Sequence, residues 1–174
     1  MLTPINDINE QIMLNALAQD LIYLCQTNKM AHQICHDNQF WLKKFQHDGY
    51  VLPQTYDTPL HWLKAYITMD HVYQIIEDLT LNHIVTLLVN QHYDLVYYIQ
   101  LLNFFNVYDP IYRVDIIQQA NLTNIKIKII FNDIGYKMTF MSGLKTIPYK
   151  NISQSSLIQI LFHLLYQNII IDII

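Results

Sequence analysis

From Ile5 to Phe45 the apolar residues recur at helical spacing, and each burst opens with a side chain able to accept a hydrogen bond from an orphan amide. The pattern predicts four short helices. Asp7 followed by Glu10 has the form of a capping box, with Ile8, Ile12 and Leu17 on one stripe behind it. Asp20 is placed to cap a second helix carrying Leu21, Leu24 and Cys25. Asn28 is placed to cap a third containing Ile34, and Asp37 or Asn38 a fourth with Phe40, Trp41 and Phe45. Trp41 and Phe45, four apart, share a face.

Gly49 and the segment 51–57 break this periodicity, and Thr58-Pro59 supplies a cap followed by proline at the first helical position. The expected boundary between a first module, residues 1–50, and a second domain, 51–174, lies there. Leu60, Leu63 and Ile67 predict one helix, Val72, Ile75, Ile76 and Leu79 the next, and Ile84 to Leu88 and Leu95 to Leu102 two more, so that helices fill 58–105. The period then changes. Ile125, Ile127 and Ile129 alternate with Lys126 and Lys128, Asn132-Asp133-Ile134-Gly135 forms a turn, and Tyr136 to Phe140 alternates again, predicting a hairpin over about 124–142. Ser153 or Ser155 starts a last helix over about 153–167, with Leu157, Ile160, Leu161 and Leu164 on one side, and Ile169-Ile170-Ile171 ends the chain as a strand. A lone hairpin is marginal in water, so helices are expected to cover one of its faces. The class is α+β: a helical module, a helical segment, a hairpin and a C-terminal helix.

The chain has 174 residues, about half of them apolar, which is enough to bury a core without staples. Its formal charge of −4 is scattered, with no basic stripe to neutralise phosphates, and this argues against nucleic acid as a partner. The stretches Ile84 to Phe105 and Leu157 to Ile174 approach the length of a membrane span but are interrupted by Asp94, His92, Asp172 and several amides. An aspartate at the centre of a span costs about 2.5–3.5 kcal/mol, so core elements are the expected reading and no membrane partner is implied. The amino terminus has no basic stretch leading into an apolar core, hence no expected secretion signal. Cys25 and Cys35, ten apart in helical sequence, are expected as reduced thiols in a cytoplasmic protein.

Little in the chain suggests chemistry. Three glycines, Gly49, Gly135 and Gly143, cannot build a phosphate loop, and no nucleophile elbow or paired-histidine zinc helix occurs. Cys25, His32, Cys35 and His36 lack the close-pair spacing of a structural zinc site. Asp70, Glu77 and Asp78 read as solvated helix faces. Thr58-Pro59-Leu60-His61 matches the opening of an ankyrin repeat, but no copy recurs at the required period of about 33 residues. The expectation is a protein with no enzymatic activity, no metal and no cofactor.

One run carries a specific pattern: Asp20-Leu21-Ile22-Tyr23-Leu24-Cys25-Gln26-Thr27-Asn28-Lys29, then Ile34-Cys35, then Asp37-Asn38-Gln39-Phe40-Trp41. It resembles an F-box, and the continuation Phe45-Gln46-His47-Asp48-Gly49 resembles the extended form found in large (giant) DNA viruses of amoebae. Pro4 or Ile5 stands for the opening Leu-Pro of the family, Ile12 with Met13 for its Ile-Leu pair, Asp20-Leu21 for its Asp-Leu step, Asn28-Lys29 for its small-polar-Lys step and Trp41 for its terminal tryptophan. No intact Leu-Pro is present. The resemblance implies docking on a Skp-type adaptor through Pro4, Ile5, Ile8, Ile12, Leu17, Asp20, Leu21, Leu24, Lys29 and Trp41. The chain would then tie a target protein, bound by its second domain, to a cullin ubiquitin ligase, in the host cytoplasm if the chain is viral. Ile5, Ile8, Ile12, Leu17 and Leu21 are more apolar surface than such short helices can bury internally, which leaves some for a partner. The alternative is a structural protein in which these helices pack within the monomer or across a homodimer.

Overall fold

The computed structural model describes residues 4–89, 125–142, 145–168 and 170–173. In chain order the elements are α1 (Pro4–Leu14), α2 (Ala18–Thr27), α3 (Lys29–Cys35), α4 (Asn38–His47), α5 (Pro59–Asn82), β1 (Ile84–Val89), β2 (Ile125–Asn132), β3 (Gly135–Ser142), β4 (Lys145–Ile152), α6 (Gln154–Tyr166) and β5 (Ile170–Ile173). The protein is α+β and divides into two compact units, residues 1–71 and 72–174, the division falling inside α5.

The first unit holds the four expected short helices. Asn28 caps α3, its side chain accepting from the Met30 and Ala31 amides, and Asp37 caps α4 by accepting from Gln39. α4 ends in a paired-bond cap in which the Tyr50 amide reaches the Phe45 carbonyl and the Gly49 amide that of Gln46. This closure needs the left-handed backbone that Gly49 adopts, φ 70°. Two expected caps are not formed. α1 starts at Pro4, which puts Asp7 inside the helix, while Glu10 pairs with Lys43 on α4 at 2.7 Å. Leu17 stands at the start of α2 with no side-chain cap, and Asp20 lies in the first turn, where its charge favours the helix N-terminus.

The first unit extends past the expected residue 50 because an aromatic cluster draws the next segment onto α4. Phe45 lies edge-on to Trp62 and Tyr66, with ring centroids 6.2 and 5.7 Å away, and Tyr56 meets Trp62 at 5.3 Å. Both indoles are satisfied: Trp41 Nε1 donates to the Cys35 carbonyl and Trp62 Nε1 to Asn38 Oδ1. The cysteines are not reduced thiols. Cys25 and Cys35 form a disulfide joining α2 to α3, because the turn at Asn28 folds the two helices together and leaves their Cα atoms 5.9 Å apart.

In the second unit the described strands pair antiparallel and form one sheet in the order β4-β3-β2-β1-β5. The hairpin β2–β3 is as its alternation predicts. Asn132 Oδ1 accepts from the Ile134 amide in the turn, and Gly135 follows at φ 128°. Val85 and Leu87 of β1, Ile127 and Ile129 of β2, and Met138 and Phe140 of β3 lie in register on one buried face. α6 packs against β3 and β5, burying Leu157, Ile160, Leu161 and Leu164, and Ser153 is its cap.

Three elements differ from expectation. The helices predicted around Leu60–Ile67 and Val72–Leu79 are one helix, α5, since nothing between them breaks the backbone ladder. Residues 84–89 form a strand, not a helix. His83 takes the left-handed conformation, φ 62°, and ends α5, and the run Ile-Val-Thr-Leu-Leu-Val then enters the sheet between β2 and β5. Residues 145–152, between the predicted hairpin and the last helix, form β4; among the described strands it is an edge, which accommodates Pro148, and the register slips near it, between Lys137 and Thr139. The helix expected at 95–102 lies outside the described residues. Among the described residues no helix is long and apolar enough to cross a membrane.

Candidate interaction surface

α1 has two apolar faces. Met13 and Leu14 point inward and are buried, whereas Ile8 and Ile12, one turn apart, point outward and are 60% and 58% exposed. Leu17, at the start of α2, is 71% exposed. Asp7, Ile8, Gln11, Ile12 and Asn15 line an open depression along α1. An amphipathic helix ordinarily turns its aliphatic side chains to the core, so a second aliphatic stripe on the outer face calls for an explanation other than folding. α2 and α3 add Ile22, Tyr23 and Met30 to the exposed apolar surface, and Met30 Sδ lies 3.6 Å from Asn9 Nδ2 of α1.

The residues marked by the F-box resemblance separate into two groups. Ile8, Ile12, Leu17, Asp20 and Lys29 are on the surface, and Leu24 is half-buried. Leu21 and Trp41 are fully buried and offer nothing to a partner. Leu21 lies on the inward face of α2 with Ala18 and Cys25, and Trp41 is held by its bond to Cys35 and its packing against Phe40 and Tyr66. Their role is to hold the module together. Pro4 and Ile5 lie in the first turn of α1.

A polar cluster stands behind this surface. The side chain of Lys44 is buried, and its Nζ donates to the carbonyls of Leu14 (2.7 Å) and Ala16 (2.9 Å), pairs with Asp48 Oδ2 (2.8 Å) and lies 5.1 Å from the Tyr66 ring centre. Tyr66 donates its hydroxyl proton to Asp48, and His47 Nδ1 contacts the other Asp48 oxygen at 2.7 Å. Burial alone raises the Asp48 pKa, but hydrogen bonds from Lys44, Tyr66 and His47 and the Lys44 charge more than offset it and hold the carboxyl below its ordinary value. Burial, then the bond to Asp48, pushes the Tyr66 phenol well above its usual range. Tyr50 donates to Asp70 nearby, at 2.6 Å. The Lys44 bonds to Leu14 and Ala16 and the Tyr66 bond to Asp48 tie elements of the unit together, and the cluster sets the exit of α1 and the start of α2, where Leu17 sits.

Sequence reasoning missed this cluster, since a lysine in a helix's last turn ordinarily reads as a solvated charge. Among the described residues no group of histidine, cysteine, aspartate and glutamate is placed to hold a metal ion. No family model, curated protein or solved structure matches the chain.

Proposed function

We propose that the protein is a non-enzymatic protein–protein interaction adaptor that docks through the outer face of α1 and the start of α2. By its resemblance to an F-box, the partner is a Skp-type adaptor, and the consequence is recruitment of a target protein to a cullin ubiquitin ligase. The observation that supports docking is the exposure of Ile8, Ile12 and Leu17 on a module already closed by its own core. Fully burying an aliphatic side chain is worth about 1.5–3 kcal/mol, so these three supply a useful share of an interface. The F-box assignment rests on the run from Asp20 to Trp41.

Capture of the full chain by a purified eukaryotic Skp adaptor tests the reading, comparing wild type with Ile8→Asp/Ile12→Asp. Both positions are exposed, so the double variant should keep its helical circular dichroism and melting temperature while losing capture. Failure of the wild type to bind removes the ubiquitin role. The other reading, self-association through the same face, is favoured by the same exposed stripe. Light scattering across a concentration series distinguishes it: a dimer that the double variant converts to monomer supports self-association.

A further inference from the structure

We infer that the partner laid against α1 is an amphipathic helix bearing lysine or arginine beside its apolar stripe. The inference rests on the docking role proposed for this face but not on the identity of the adaptor.

From residue 4 to Asn28, through α1 and α2, the chain contains Asp7, Glu10 and Asp20 and no lysine, arginine or histidine. The next basic residues, Lys29 and His32 of α3, His36 at its C-cap, and Lys43, Lys44 and His47 of α4, all come after this stretch. Glu10 is engaged by Lys43. Asp7 and Asp20 are exposed, the first lining the same depression as Ile8 and Ile12, the second three residues beyond Leu17 on α2. Every charged side chain that α1 and α2 themselves contribute is therefore acidic, and the cation that α4 brings to α1, Lys43, is held by Glu10.

A helix is the matching shape because Ile8 and Ile12 lie in a row one turn apart, which a facing helix meets with its own side chains at three- and four-residue spacing. Apolar burial supplies affinity in such a contact, and the charges select and orient the partner: bases at its flank accelerate encounter, and acids there are repelled.

The test uses fluorescence anisotropy with two labelled synthetic peptides of identical length and leucine spacing, one flanked by lysines and one by glutamates, titrated with the full chain. The lysine peptide should bind at least about tenfold more tightly than the glutamate peptide. Its affinity should fall with added sodium chloride, and at least about tenfold in Asp7→Lys/Asp20→Lys. It should also be lost in Ile8→Ser/Ile12→Ser, which leaves every charge in place. Equal binding of the two peptides, binding of neither, or undiminished binding to the serine variant overturns the inference, the last by showing unspecific charge attraction. The two proposals fail separately. A Skp adaptor captured through Ile8 and Ile12 but indifferent to reversal of Asp7 and Asp20 sinks the charge selection alone, whereas charge-selective peptide binding without Skp capture sinks the ubiquitin role alone.

Discussion

The Lys44 ammonium donates a hydrogen bond to the Leu14 carbonyl oxygen across 2.7 Å, closing the last turn of α1 from a side chain on α4. Carbonyls at a helix end have no intrahelical donor and carry the negative end of the helix dipole, so a buried cation there answers both needs. The same nitrogen also bonds to Ala16 and pairs with Asp48, which makes it the link between the α1–α2 corner and the end of α4.

Lys44→Met should therefore destabilise the protein by about 3 kcal/mol, the low end for removing one partner of a buried pair, since Asp48 keeps Tyr66 and His47. Urea denaturation reads this as a lower midpoint at unchanged slope. A midpoint within experimental error of wild type contradicts the assignment.

Acid should weaken the same link. Asp48 has a folded pKa below that of the unfolded chain, so its contribution is fully present above the unfolded value, about 3.9, and is lost as pH falls through the folded value. Stability of Asp48→Asn measured from pH 7 to pH 2 should fall less steeply on the acid side than that of wild type. Parallel acid limbs count against the linkage.

Reduction of Cys25–Cys35 should cost about 2–3 kcal/mol, the loss expected from opening a short loop. Thermal melts with and without a phosphine reductant, with alkylation and intact mass to count thiols, check this. Cys25→Ser/Cys35→Ser should melt with the reduced protein and ignore the reductant.

The sheet offers a paired test of burial. Leu87→Ala, on the buried face of β1, should cost about 2–5 kcal/mol, while Ile134→Ala, at the exposed tip of the β2–β3 turn, should change stability by no more than about 0.5 kcal/mol. Comparable losses at both positions would mean that the hairpin tip is covered.

Much of the local architecture is legible in the sequence because its causes lie within a few residues. Asn28, Asp37 and Ser153 cap helices by bonding amides two or three positions on, and Ile127 and Ile129 face the core because a strand alternates. The aliphatic stripe of Ile8 and Ile12 is equally visible as a spacing, though the spacing does not tell which way it points. β1 escapes this kind of reading because its apolar residues occupy exposed as well as buried positions, as Ile84 and Val85 do, and a short, mostly apolar run has no clear period to distinguish strand from helix. β4 escapes it because Pro148 argues against a strand unless the strand is known to be an edge.

The amino acids by themselves determined where α3, α4, α5 and α6 start, which segment alternates, and that α1 carries more aliphatic surface than one face can use. The tertiary structure alone decided that Leu21 and Trp41 are buried while Ile8, Ile12 and Leu17 remain outside, that Cys25 meets Cys35, and that Lys44 closes α1 from thirty residues away. The reason is that burial, disulfide pairing and a buried charge depend on groups brought together by packing, and no short window of sequence contains both partners.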